Sequence, residues 1–165
     1  MDADYIVAEL PALAFGEKAP ISWEKFVSEC GGAAPEPPPE WTDLETQLRN
    51  TAAAERGGAK FARPARGCSL YWRDRVRACF READAYRRDE MLDRTWWDAA
   101  GELTSPSAPL GGGALATYAI RLRIALRRSA ISAERGAAAF DGLIAAAEGG
   151  ADGNPEANDI SGRGK

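Results

Sequence analysis

The 165-residue sequence has a formal net charge of −4 and contains no histidine. The missing histidine excludes Ser-His and Cys-His nucleophile pairs and imidazole general bases, and it removes the commonest metal ligand. The length and the apolar fraction of 45% indicate a single domain with its own core. We therefore expect a protein that is not an enzyme and that uses no cofactor or metal.

The first predicted element lies in the apolar stretch YIVAELPALAFG, residues 5–16. Its flank is acidic rather than basic, and Glu9 and Pro11 interrupt it, so it does not fit an export signal. Periodicity alone does not separate a helix from a strand over residues 4–10. We expect a short helix up to Leu10 that breaks near Pro11, with Leu13 and Phe15 folding back onto the core.

Two further helices are predicted before residue 60. Ser22 can cap the first, with Ile21 packing on Phe26, and this helix stops at the two glycines 31 and 32. A proline-rich linker covers residues 31–39. The second helix is predicted to begin at the capping box TDLE, residues 42–45, and to end near the glycines 57 and 58. A loop follows over residues 59–68.

The remaining chain is predicted to form two long helical stretches. The first runs from Ser69 to about Leu103, with a break near residues 88–89 where Asp89 could cap a second helix. After a linker at 104–113, the final helix starts near Ala114, breaks at Gly136 and continues toward residue 147. Its expected apolar stripe comprises Leu115, Tyr118, Leu122 and Leu126, widened by Ile120, Ile124 and Ile131.

The predicted fold is therefore all-α. We expect an irregular bundle of four to five helices, two of them long, with a short N-terminal segment of uncertain type. The helical domain should cover residues 1–148, and the glycine-rich remainder, 149–165, should be a disordered tail.

The charge is unevenly distributed along the chain. Residues 1–48 carry ten acids and two bases, whereas residues 49–135 carry seventeen bases and ten acids. The final predicted helix holds Arg121, Arg123, Arg127 and Arg128 and has no acid between residues 114 and 133. Such a face fits an acidic protein surface, either a partner or the acidic N-terminal segment. The alternative is a helical nucleic-acid-binding protein that uses the basic 49–135 region.

Two other patterns bear on function. The carboxylates Asp89, Glu90, Asp93 and Asp98 lie among arginines, which favours a solvated, salt-bridged helix face over a metal site. Trp96 and Trp97 point about 100° apart on a helix, so one indole can pack inward while the other stays available as an interface anchor.

A resemblance to a known family emerges from the ordered set of residues. It begins with Tyr5, Leu10-Pro11, Leu13, Phe15-Gly16, Pro20 and Phe26. It continues in Trp41, Leu44, Leu48-Arg49-Asn50, Trp97 and Glu102-Leu103. It ends in residues 118–122, Arg127-Arg128, residues 134–136, Phe140 and Leu143. The sequence resembles an uncharacterised bacterial family that is encoded in V-type (vacuolar/archaeal-type) ATPase operons and is similar to the C subunit of the central stalk, although Asp4 departs from the family's first aromatic residue.

The resemblance implies a non-catalytic accessory or central-stalk component of a rotary ATPase. Its partners would be V-type ATPase subunits, with no direct nucleotide contact, and nucleic acid would be an unlikely partner. The chain would be cytoplasmic, peripheral to the inner face of the membrane through the complex. Docking is expected to use charged and aromatic helix faces, with the candidate interface residues Tyr5, Phe15, Trp41, Arg49, Trp96, Trp97, Arg121, Arg127 and Arg128.

Overall fold

The computed structural model describes residues 2–131 and 140–144, and it divides the chain into two units. In the first unit, Met1–Ala130, the α-helices are α1 Ala3–Glu9, α2 Trp23–Glu29, α3 Pro39–Glu55, α4 Leu70–Cys79, α5 Ala85–Ala100 and α6 Gly112–Ala130, with 3-10 turns at Ala59–Phe61 and Gly101–Leu103. In the second unit, Ile131–Lys165, residues 140–144 are helical. The prediction of an all-α fold is confirmed. The predicted count is wrong, because the described part of the first unit has six α-helices, and α3, α5 and α6 are all long.

The N-terminal stretch folds as the sequence predicts. Helix α1 begins after Asp2, whose carboxylate accepts from the Asp4 amide, and it ends at Glu9. Pro11 has no amide hydrogen with which to continue the helix. Leu13 then packs into an apolar cluster formed with α2 and α6, and the Phe15 ring lies 5.5 Å from the Trp97 ring.

Helices α2 and α3 differ in how well the sequence predicts their starts. The Ser22 hydroxyl accepts from the Lys25 amide and caps α2, as expected. The capping box at residues 42–45 does not start α3, which begins three residues earlier at Pro39. Proline suits the first helical position, since its missing N–H would have no partner there and its φ is already helical.

The long helix predicted from Ser69 to Leu103 is two helices. Helix α4 ends at Cys79, and α5 begins after Asp84, whose carboxylate accepts from the Arg87 amide at 2.8 Å. The predicted break at 88–89 is therefore wrong, because the cap is Asp84, five residues before Asp89. Asp84 stabilises the break because its side chain replaces a backbone acceptor for the free amides of the first turn.

The described part of the first unit contains two apolar clusters. One lies among α3, α4 and α5 and contains Trp41, Leu48, Ala52, Trp72, Val76, Cys79, Leu92, Ala99 and Ala100. The other lies among α1, α2 and α6 and contains Ile6, Phe26, Leu115, Ala119 and Leu122. Helices α5 and α6 pack against each other and join the two halves.

Helix α6 starts at Gly112, two residues before the predicted start, and ends at Ala130. Leu115, Tyr118, Leu122 and Leu126 all belong to the α1–α2–α6 cluster, as predicted. Ile131 does not widen this stripe, because it follows the helix end and is exposed. The predicted break at Gly136 and the tail at 149–165 lie outside the described residues. None of the described helices combines the length and apolarity needed to cross a membrane.

Candidate docking groove

The nine predicted interface residues fall into three sets. Arg49, Trp96 and Arg127 line one open groove between α3 and α5, here called the α3–α5 groove. Phe15, Trp97, Arg121 and Arg128 are gathered where α6 packs on α5. The other two lie apart: Tyr5 is exposed on α1, and Trp41 is buried in the α3–α4–α5 cluster.

The α3–α5 groove has a volume of about 820 Å³. It forms because α3 and α5 each pack extensively on α4 but touch each other over only a short stretch. One wall is the α3 face from Thr42 to Arg56, and the other is the α5 face from Asp89 to Trp96. Phe61 and Arg63, from the loop after α3, also line the groove.

Several arginines line the groove, and they differ in whether they pair with a carboxylate. Arg49 donates to the Glu45 carboxylate at 2.8 Å, and Arg127 donates to Asp93. The Arg56 guanidinium lies 5.5 Å from the centre of the Phe80 ring. Within the described residues, neither Arg56 nor Arg63 pairs with a carboxylate, although Arg56 lines a neighbouring cavity together with Glu55 and Asp89.

The loop that carries Arg63 is fixed by side chains of α3. The Asn50 amide group accepts from the Arg63 backbone N–H at 2.8 Å and donates to the Arg63 carbonyl at 2.7 Å. Gln47 makes a similar pair of contacts further along the loop, to the carbonyl of Arg66 and the amide of Ser69. These paired amide contacts hold the Arg63 backbone against the middle of the α3 wall of the groove.

The interface between α5 and α6 contains a buried carboxylate. Asp93 is only 5% exposed and accepts from the guanidinium groups of both Arg127 and Arg128, the second at 3.2 Å. Arg128 also approaches Glu90 at 3.4 Å, and Arg127 approaches Asp89 at 3.8 Å. Two predicted features, the acidic cluster of α5 and the basic face of α6, are therefore partners of each other.

This arrangement corrects two expectations. Asp93 does not belong to a solvated helix face, since α6 covers it. The basic helix likewise pairs with α5 in the described structure and not with the acidic N-terminal segment, because one turn of α5 presents Asp89, Glu90 and Asp93 to it.

Aromatic rings complete the α5–α6 interface. The Arg121 guanidinium lies 5.2 Å from the centre of the Trp97 ring and donates to the Trp97 carbonyl at 3.1 Å. Burial lowers the pKa of Arg121, an effect that Asp98 opposes and Arg94 reinforces. Phe15 packs edge-on against Trp97, with the guanidinium groups of Arg94 and Arg128 at 5.0 and 5.2 Å from its ring centre.

The two adjacent tryptophans point in different directions, as expected. Trp97 is the indole that packs inward, under Phe15 and Arg121. Trp96 is half-buried and lines the α3–α5 groove. Trp96 therefore presents part of its indole to an occupant of the groove, whereas Trp97 and Trp41 support the core.

Sequence reasoning missed the groove residues Arg56, Phe61 and Arg63. Their signal is the segment after α3, where bases surround a phenylalanine that the structure leaves 71% exposed. Across residues 2–131 and 140–144, no group of acidic or cysteine side chains is arranged to hold a metal ion.

Comparisons with known proteins give no match, so a functional conclusion rests on the geometry of the structure. No family model, no curated protein and no solved structure matches the chain. The α3–α5 groove is the site to which that conclusion refers, since it collects predicted interface residues from separate helices.

Proposed function

We propose that this chain is a non-catalytic accessory or central-stalk component of a bacterial V-type rotary ATPase, similar to the C subunit of the stalk. The observation that carries the proposal is the α3–α5 groove, an open site lined by arginines, small apolar residues and Trp96. Half-buried aromatic side chains and arginine are enriched at protein interfaces. The chain would be peripheral to the inner face of the membrane, held there by the complex.

The placement of the residues that carry the resemblance adds support. Tyr118 donates its hydroxyl to the Pro11 carbonyl at 3.0 Å, and its ring stacks near Phe26 with 5.6 Å between ring centres. Phe15 contacts Trp97 in the same region. Residues distant in the sequence thus hold the N-terminal stretch onto α5 and α6, so the residues that carry the proposed resemblance have a structural role in this chain.

The test is affinity purification of the tagged full-length chain from detergent-solubilised membranes of cells that express the native ATPase. We expect the A, B or D subunits of the V-type ATPase to copurify in constant ratio to the chain. Their absence from repeated preparations that contain intact ATPase would refute the proposal. The position of the gene among ATPase subunit genes is a simpler independent check.

The nucleic-acid alternative predicts a different result. Among the described residues of the basic region, seven arginines pair with carboxylates, which reduces the charge available to phosphates: Arg49, Arg73, Arg75, Arg77, Arg94, Arg127 and Arg128. Binding to single-stranded or duplex nucleic acid that falls steeply with salt, without copurifying ATPase subunits, would replace the proposal.

A further inference from the structure

We propose that the segment after α3 binds the surface of an anionic lipid bilayer directly. This segment, residues 59–71, comprises the loop between α3 and α4 and the first two residues of α4, and it is here called the basic loop. The inference goes beyond the proposed function, because it concerns contact of this chain with lipid and not with ATPase subunits. It rests on the charge, the exposed apolar side chains and the fixed backbone of the basic loop.

The charge of the basic loop has one sign. Residues 59–71 hold three bases, Lys60, Arg63 and Arg66, and no acid. All three side chains belong to exposed residues, and within the described part of the chain none of them pairs with a carboxylate. Cations near a bilayer that contains anionic lipid are attracted to its negative surface potential, and their contributions to binding accumulate.

The carboxylates of the flanking helices leave this positive charge in place. Residues 41–79 hold eight bases and four acids. Each acid contacts a group other than the charged ends of the basic loop: Asp43 contacts the Arg66 backbone N–H, Glu45 contacts Arg49, Glu55 contacts Arg77, and Asp74 contacts Arg73 and Arg77. On the far wall of the α3–α5 groove, Asp89 contacts Arg127. The region around the basic loop therefore has a net positive charge.

Helix α3 fixes the backbone of the basic loop. Asn50 contacts both backbone polar groups of Arg63, whereas Asp43 accepts from the Arg66 N–H and Gln47 donates to the Arg66 carbonyl. The seven residues from Asn50 back to Asp43 span about 10 Å of helix, which matches the reach of three extended residues from Arg63 to Arg66. Because the backbone is already ordered, binding to a surface does not have to order it.

Large apolar side chains stand among these cations. Phe61, Leu70 and Tyr71 are each more than half exposed. Peripheral segments that lie in the membrane interface combine lysine and arginine with exposed phenylalanine, leucine or tryptophan, which enter the boundary between headgroups and acyl chains. The basic loop has both parts of this combination within thirteen residues.

The ring contacts favour lipid over nucleic acid. Single strands bind to sites of this composition by stacking their bases on aromatic faces. The Lys60 ammonium lies 5.1 Å from the centre of the Phe61 ring, so a cation covers one face of that ring. The Arg75 guanidinium likewise lies 5.9 Å from the centre of the Tyr71 ring. Leu70 has no ring on which a base can stack, whereas a bilayer can accept all three apolar side chains.

The experiment is cosedimentation of the full chain with vesicles in the absence of ATPase. One set of vesicles is phosphatidylcholine alone, and the other contains equal parts of phosphatidylcholine and phosphatidylglycerol. The charge variant is Lys60→Gln with Arg66→Gln, and it leaves Arg63 unchanged because that residue also lines the α3–α5 groove. Its matched control, Lys18→Gln with Arg81→Gln, makes the same charge change at exposed residues outside the basic loop.

A second pair of variants tests the apolar contribution. Phe61→Ser removes the exposed ring of the basic loop, and Tyr86→Ser removes an exposed ring of α5. We expect the wild-type chain to bind the anionic vesicles and not those of phosphatidylcholine alone. The charge variant should bind at least about tenfold more weakly than its control. Phe61→Ser should bind at least about fivefold more weakly than Tyr86→Ser.

Three results would overturn the inference: no binding to the anionic vesicles, equal binding to both kinds of vesicle, or equal loss in each variant and its control. A single-stranded oligonucleotide is the competing probe and should not release the chain from the anionic vesicles. Release by a substoichiometric amount of oligonucleotide would overturn the inference in favour of nucleic acid.

The outcome is separable from that of the copurification experiment. If the chain binds anionic vesicles as expected but no ATPase subunit copurifies with it, the lipid inference stands and the proposed function is wrong. If ATPase subunits copurify but the isolated chain does not bind anionic vesicles, the proposed function stands and the lipid inference is wrong.

Discussion

Replacing Asp93 by asparagine should destabilise the first unit more than any change to an exposed charge of α4 or α5. The carboxylate is buried and accepts from Arg127 and Arg128, so the substitution removes the negative charge between two cations. Breaking a buried ion pair by removing one partner costs about 3–5 kcal/mol.

The surroundings of the two arginines reduce that figure. The Arg127 side chain is 52% exposed and can return to water, whereas the Arg128 side chain is only 15% exposed. Arg128 keeps its contacts with Glu90 and the Phe15 ring after the substitution. We therefore expect Asp93→Asn to cost about 2–3 kcal/mol of the free energy of unfolding, at or just below the lower end of the usual range.

The assay is urea denaturation of the full chain, followed by circular dichroism at 222 nm. The matched control is Asp74→Asn, because the Asp74 side chain is 67% exposed and its contacts with Arg73 and Arg77 are long, at 3.6 and 3.9 Å. The control should change stability by less than about 1 kcal/mol, and Arg127→Ala should cost less than Arg128→Ala. Equal effects of Asp93→Asn and Asp74→Asn, or a larger effect at Arg127 than at Arg128, would refute this reasoning.

Two further predictions concern α6. Gly113→Ala should cost more than about 1 kcal/mol of the free energy of unfolding and lower the thermal midpoint, because a Cβ at Gly113 would overlap the Leu103 carbonyl. Gly112→Ala is the matched control, since a Cβ there has open space, and it should be neutral or stabilising. Equal midpoints for the two variants would contradict this prediction. Burial raises the pKa of Tyr118 from its ordinary value of 10.0 to about 12. The contribution of this residue to the free energy of unfolding is therefore complete below pH 10.0 and is lost as the pH rises to about 12. The difference in unfolding free energy between wild type and Tyr118→Phe should therefore narrow over that interval, and a constant difference would disprove it.

Local chemistry could be predicted from the sequence where one side chain determines the outcome. Ser22 caps α2 because its hydroxyl reaches the Lys25 amide, and Pro11 ends the first helix region because it lacks an N–H. The predicted start of α3 is wrong because two signals compete: the capping box favours residue 42, but Pro39 already fits the first helical position. The predicted α4–α5 break is wrong because Asp84 and Asp89 can each cap a helix in the local sequence, and the residue whose carboxylate accepts from a first-turn amide is Asp84.

The candidate groove could be predicted only in part. Arg49, Trp96 and Arg127 stand out in the sequence as charged or aromatic residues, but their proximity depends on how α3 and α5 diverge around α4. The burial of Asp93 is equally nonlocal, since it requires α6 to return across α5. A sequence shows that a carboxylate lies near arginines along one helix, whereas the opposing arginines of α6 are 34 and 35 residues away.

The groove and the α5–α6 interface share Arg127, and this links their behaviour. Its contacts with Asp93 and Asp89 hold it at the groove wall, so the buried carboxylate preorganises part of the proposed docking site. Asp93→Asn should consequently lower both the free energy of unfolding and the yield of copurified ATPase subunits, since Arg127 then keeps only its contact with Asp89. Arg56 and Arg63 are exposed and make no carboxylate contact within the described residues, so replacing both by glutamate should lower copurification with ATPase subunits while leaving the unfolding midpoint close to that of the wild type. If the fold preforms the groove, Asp93→Asn should lower both stability and docking, whereas reversal of Arg56 and Arg63 should lower docking alone.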